Sequence, residues 1–163
     1  MKNNFTEEDC KYMKLAIEEA KKSEREREVP VGAVIIKNNK ILSTGRNKRE
    51  LSRNALFHAE IEAIYNACKV LNSWRLTDCS IYVTLEPCAM CAGAIINSRI
   101  SKVFYGASDS KSGSCNSLIN LFELPYNHKP DIISGVLEYE CSCLLSDFFK
   151  KLRQHKTEIT QKI

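Results

Sequence analysis

Cys79-Ser80-Ile81-Tyr82-Val83-Thr84-Leu85-Glu86-Pro87-Cys88-Ala89-Met90-Cys91-Ala92-Gly93-Ala94 decides the fold. Its first half alternates, with apolar Ile81, Val83 and Leu85, which predicts a strand from Cys79 to Leu85. Glu86-Pro87 ends that strand, and proline at a first helical position is a start signal, so a short apolar helix is predicted from Cys88 to Asn97. Ser101 to Ala107 then reads as another strand. Strand, helix and strand in one uninterrupted run predict a parallel crossover.

Upstream, Ile61, Ile64, Cys68 and Leu71 keep helical spacing and mark the buried face of a helix that begins near His58. Before it, Val29 to Lys37 and Lys40 to Asn47 flank Asn38-Asn39 and read as a β-hairpin. Lys48 to Asn54 is a polar loop. Thr6 with Asp9 resembles a capping box, and Cys10, Met13, Ile17 and Ala20 continue a helix to about Ser23. The charged run Glu24 to Glu28 reads as a solvated connection. Downstream come a polar stretch, Ser108 to Asn116, a short helix around Leu118 to Phe122, a loop with Pro125 and Pro130, and a strand near Ile132 to Val136. Cys141, Leu145, Phe148 and Leu152 give a final helix its apolar face. This alternation predicts a single three-layer α/β domain over residues 1–163, with a mixed sheet of about five strands.

Size and composition agree. A chain of 163 residues with 44% hydrophobic and 27% charged side chains is an ordinary one-domain globular protein. Its longest apolar stretches fall far short of the roughly 20 residues that a membrane span needs. No secretory signal opens the chain, so a cytoplasmic protein is expected, and in a reducing compartment the eight cysteines are not a disulfide framework. The net charge of +4 is unevenly placed. Residues 150–163 hold five basic side chains and one acidic, and the rest of the chain is balanced. A basic helix end of this kind suits a polyanionic partner such as nucleic acid, or a solvated helix terminus.

The Pro87-Cys88-Ala89-Met90-Cys91 spacing lets two thiolates approach one zinc ion, and a helix N-terminus there favours their deprotonated form. No second matched cysteine pair closes a four-sulfur site. His58-Ala59-Glu60 supplies the missing groups: His58, Cys88 and Cys91 as three ligands with water as the fourth, the pattern of a catalytic zinc site. Glu60 is then the proton shuttle rather than a ligand. Residues two apart face different sides of a helical wheel, so this role needs first-turn geometry. A Cys-x-x-Cys pair also suits a redox site or a structural zinc, but the redox reading leaves His58 and Glu60 idle. His128 and His155 are expected to face solvent or a partner.

His-x-Glu followed by Pro-Cys-x-x-Cys resembles the signature of the zinc nucleobase deaminases. With Val29-Pro30-Val31-Gly32-Ala33-Val34, Gly45-Arg46-Asn47, Ser98-Arg99-Ile100 and Asp147-Phe148-Phe149, the chain to about Arg153 looks like the bacterial tRNA-specific adenosine deaminases of the cytidine/deoxycytidylate deaminase superfamily. The resemblance implies a cytidine-deaminase-like fold, a homodimer, one zinc per subunit, and hydrolytic conversion of the wobble adenosine of an arginine tRNA to inosine. It also implies that Asn47 hydrogen-bonds the adenine and that Asp109 approaches the ribose of the neighbouring nucleotide, where a 2′-hydroxyl distinguishes RNA from DNA. Phe149 and Arg153 would lie against the anticodon loop. Read without the resemblance, Asn47 and Asp109 are loop residues that cap turns. Phe57 departs from the small residue the family often has before the zinc histidine; pointing into the pocket it would reshape the space for the base. The competing readings are a zinc deaminase of a free base or nucleoside, of guanine or cytosine type, and a catalytically silent RNA-binding zinc protein.

Overall fold

The computed structural model describes residues 5–160, with side chains to 154. Its elements run α1 (Glu7–Arg25), β1 (Gly32–Lys37), β2 (Lys40–Arg46), α2 (Ala59–Leu71), β3 (Cys79–Leu85), α3 (Ala89–Ser98), β4 (Lys102–Ala107), a single 3-10 turn (Leu121–Glu123), β5 (Asp131–Ser134) and α4 (Glu138–Thr160). The five strands form one sheet in the order β2-β1-β3-β4-β5. β1 and β2 pair antiparallel through Asn38 and Asn39, both at positive φ, as a two-residue turn between right-twisted strands requires. β3 pairs antiparallel with β1 and parallel with β4, and β4 pairs parallel with β5. The sheet therefore changes sense at β3.

Strand alternation sorts the side chains into two cores. Ala33, Ile35, Ile81, Val83 and Val103 pack on one face against Ala59, Ala63 and Ala67 of α2 and Ala92, Ile95 and Ile96 of α3. Val34, Ile36, Tyr82 and Phe104 pack on the other against Met13, Ala16 and Ile17 of α1 and Cys141, Leu144 and Leu145 of α4. Three layers result. The small residues along α2 let it press close to β2: a Cβ on Gly45 would stand 2.2 Å from the Ala59 carbonyl oxygen and 2.5 Å from the Ala63 nitrogen. Gly45 thus permits the close approach of the first turns of α2 to β2.

The Thr6 capping box is present, and its Asp9 also accepts from the Tyr82 hydroxyl at 2.7 Å, joining the helix start to the sheet. All eight cysteines are free. The expected helix at 118–122 is a 3-10 turn three residues later, because Asn120 accepts from the Phe122 amide and starts the turn there. The Glu24–Glu28 run is not simply solvated. Glu28 is buried and accepts from the Leu51 amide at 2.6 Å, Glu26 pairs with Arg46 at 2.8 Å, and Glu24 pairs with Lys151 at 2.8 Å. No helix among the described residues is long and apolar enough to cross a membrane. The side chains of His155, Lys156, Glu158 and Lys162 in the basic tail lie outside the described residues.

Candidate active site

The carboxyl end of β3, where the sheet changes sense, meets the N-termini of α2 and α3. His58 is the N-cap of α2 and Cys88 the N-cap of α3, both in extended backbone, and neither side chain caps its own helix. Each is turned to the other instead. His58 Nδ1 lies 3.6 Å from Cys88 Sγ and 3.6 Å from Cys91 Sγ, and the three ligand atoms lie within 4.8 Å of one another. Cys91, one turn into α3, reaches the same point from the buried side.

The trio holds unequal protons. Cys88 is pulled down to about 4 by the Cys91 thiol that donates to it, against its burial and with help from His58. The same contact pushes the Cys91 thiol up, and Cys88 raises His58. A soft divalent cation replaces such protons, and two sulfurs with one imidazole suit zinc.

Glu60 supplies a further test of fit. Its carboxyl is buried, and its Oε2 is the buried side-chain oxygen without a hydrogen-bond partner among the described residues. Burial pushes this carboxyl up to about 7. An orphaned carboxylate oxygen beside a His-Cys-Cys set costs stability unless a ligand answers it. The residues present fit a catalytic metal.

This corner opens into a hollow of about 140 Å³ lined by His58, Glu60 and Cys88, with Val29, Val31 and Leu85 as apolar wall and Asn47, Arg49, Asp109 and Ser112 at its polar edge. Asn47 and Asp109 each cap a turn, as loop residues of these types do, and each also lines the hollow. Asn47 Oδ1 accepts from the Arg49 amide at 3.3 Å while its Nδ2 donates to the Val29 carbonyl at 3.2 Å. Asp109 accepts from the Lys111 amide at 2.9 Å, the Ser112 amide at 3.3 Å and the Ser112 hydroxyl.

Phe149 and Arg153 are exposed on α4 and do not line the hollow. Nor does Phe57. It points neither into the hollow nor into the core but lines a separate surface depression with Leu56, Ile61 and Tyr65. His128 is half-buried, its Nε2 2.6 Å from the Ile100 carbonyl oxygen, rather than facing solvent. Sequence reasoning missed Glu28, Arg49, Glu86 and Ser112. Glu28 lay in a charge run with no sign of which member turns inward, and Glu86 read only as the end of a strand.

Comparison with known proteins agrees with this geometry. The MafB19-like deaminase family matches residues 7–153. A tRNA-specific adenosine deaminase of Bacillus subtilis (strain 168) is 49% identical over 150 residues, spanning 91% of this chain and 93% of the relative. A solved structure from a study of A-to-I editing by tRNA:A34 deaminases superposes with a TM-score of 0.81 at 39% identity, covering 83% of this chain and 99% of the other. The guanine deaminase of Bacillus subtilis is more distant, with a TM-score of 0.60 and 36% identity over 69% of this chain and 71% of its own. The converging helix starts, the buried carboxyl beside them and a match running through almost the whole chain have one reading: this protein belongs to the MafB19-like deaminase family and to the tRNA-specific adenosine deaminases.

Proposed function

We propose that the protein hydrolyses the 6-amino group of the wobble adenosine in a tRNA anticodon loop, of an arginine tRNA, to give inosine and ammonia. The observation that carries this reading is the buried Glu60 carboxylate, its Oε2 without a hydrogen-bond partner among the described residues, beside His58, Cys88 and Cys91 at the floor of an open hollow. His58, Cys88 and Cys91 would hold one zinc ion per subunit, which when bound supplies Lewis acidity that makes water nucleophilic near neutral pH.

The chain's own residues do the rest. Glu60 takes a proton from the attacking water and delivers it to adenine N1. It then takes the remaining proton of the oxygen added at C6 and passes it to the amine, so that the C6–N bond breaks, the C6 carbonyl forms and ammonia leaves. Val29, Val31 and Leu85 exclude water from the faces of the base, and Asn47 hydrogen-bonds its edge. Asp109 stands where the ribose of the neighbouring nucleotide would pass. A base in an anticodon loop is unpaired, so it is unstacked and brought to this floor at lower cost than a base in a duplex. Phe149, Arg153 and the basic end of α4 would lie along the RNA backbone. The whole chain, 1–163, acts as one zinc-dependent deaminase domain in the cytoplasm. It would work as a homodimer, for which exposed Leu56, Phe57 and Tyr65 beside the site offer an apolar surface.

The test is inosine formation in a synthetic anticodon stem-loop carrying wobble adenosine, beside free adenosine, guanine and cytosine. We expect turnover of the stem-loop alone, and a fall of about 10² to 10⁴ in Glu60→Ala at unchanged zinc content. Turnover of guanine with an inert stem-loop would move the reading to a free-base deaminase. Full activity in Glu60→Ala would remove the shuttle, and an inert wild type that still binds the stem-loop would make the protein a silent RNA-binding subunit.

A further inference from the structure

Glu86 is a buried carboxylate that the chemistry above does not use. It is 2% exposed, and no basic side chain pairs with it among the described residues. A buried charge must be compensated, and here one loop does all of it. Glu86 Oε1 accepts from the amides of Cys115 (3.1 Å), Asn116 (2.8 Å) and Ser117 (2.9 Å), while Oε2 accepts from the Asp109 amide (3.0 Å) and the Ser117 hydroxyl. The loop is closed over the carboxylate with no slack: a Cβ on Gly113 would stand 2.4 Å from Glu86 Cδ and 2.4 Å from Oε2.

Glu86 is also fixed on its other side. Its own amide donates to the Ala107 carbonyl at 2.8 Å, and two residues on is Cys88, which bridges to Gly113. The Ser114 amide donates to the Pro87 carbonyl at 2.9 Å. One carboxylate thus joins the segment that carries a metal-ligating sulfur to the loop that carries Asp109 and Ser112 into the hollow.

We propose that Glu86 is a positioning residue that sets the distance between the His58-Cys88-Cys91 floor and the Asp109-Ser112 wall, and through Asp109 sets the preference for ribose at the nucleotide beside the target base. This rests on the tRNA reading above for its substrate, but not for its structural half. Its two oxygens divide the amides: Oε1 gathers those of residues 115–117, and Oε2 holds that of Asp109 together with the Ser117 hydroxyl. Glu86→Gln can keep its oxygen towards the three amides, but its Nε2 then faces the Asp109 N–H, donor against donor. Asp109 is released selectively.

The experiment compares zinc-loaded wild type, Glu86→Gln, Asp109→Asn, the double variant and Ser117→Ala. It measures zinc content, amide hydrogen exchange of residues 107–118, and KM and kcat on stem-loops with ribose or deoxyribose at the neighbouring nucleotide. In Glu86→Gln we expect faster exchange confined to that segment and about a tenfold rise in KM on the ribose substrate, a charge-assisted hydrogen bond's worth, exceeding the change in kcat. The ribose-to-deoxyribose ratio should narrow, and the losses of Glu86→Gln and Asp109→Asn should be non-additive. Ser117→Ala, which removes one donor and keeps the carboxylate, should move the same readouts less.

Unchanged exchange, additive losses, or an equal loss on both substrates would overturn the proposal. If Glu86→Gln does not fold, wild-type exchange and wild-type ribose preference in Ser117→Ala overturn it. A wild type inert on the stem-loop defeats the tRNA reading and the ribose half with it, whereas hydrogen exchange still decides whether Glu86 holds the loop.

Discussion

His58 and Glu60 stand two positions apart, a spacing that on a helical wheel sends side chains in different directions. They share a site because only Glu60 is helical. His58 is an N-cap with φ −80° and ψ 155°, so its side chain leaves the extended backbone while Glu60 leaves the first turn. The residue types and their spacing were therefore legible in the sequence, but their convergence was not, since it depends on where the helix starts. Cys88 repeats the device at the start of α3. Removing one sulfur should leave a pair too weak to hold zinc against competing chelators. Cys88→Ala should lose its metal and its inosine formation together while far-UV circular dichroism stays near wild type, as read by elemental analysis and activity on one preparation. Retained stoichiometric zinc would exclude Cys88 as a ligand. Glu28 was less legible still. In a run of alternating charges nothing marks the one carboxylate that turns inward to the Leu51 amide and, at 3.5 Å, to Asn47 Nδ2.

At the scale of elements, the site is placed by how closely α2 approaches β2. Gly45 permits that approach, so Gly45→Val drives a branched side chain against the α2 backbone near Ala59 and Ala63. We expect a loss of about 3 kcal/mol in a urea titration, and weaker zinc retention because the start of α2 must shift. Zinc affinity at the wild-type level would mean that α2 is positioned from elsewhere. The capping box is the milder counterpart: Thr6→Ala should cost about 1 kcal/mol with zinc affinity unchanged, since α1 packs on the opposite face of the sheet. Strands and long helices were readable from periodicity to within a few residues. The 118–122 segment was not, because Leu118 and Ile119 look like a buried helical face but are exposed, and the turn that forms is the one Asn120 caps.

For the whole molecule, a basic helix end beside an acidic RNA predicts salt-dependent binding. KM for the stem-loop should rise with salt, and Arg153→Ala should reduce the slope of log KM against log salt by about 0.7 if Arg153 meets one phosphate of an unpaired strand. An unchanged slope would place Arg153 off the RNA path. By itself the sequence determined the layers, the five strands and the candidate donor set, because alternation and helical spacing are local consequences of which side chains avoid water, and ligand chemistry belongs to residue type. Only the tertiary structure decided that Asn47, His58, Glu60, Cys88 and Asp109 line one hollow, that Phe57 faces a separate depression, and that Glu86, just past the end of β3, is buried against the amides of Asp109 and residues 115–117. Those outcomes depend on contacts between segments far apart in the chain, made only after the helices have docked on the sheet, and no local pattern records them.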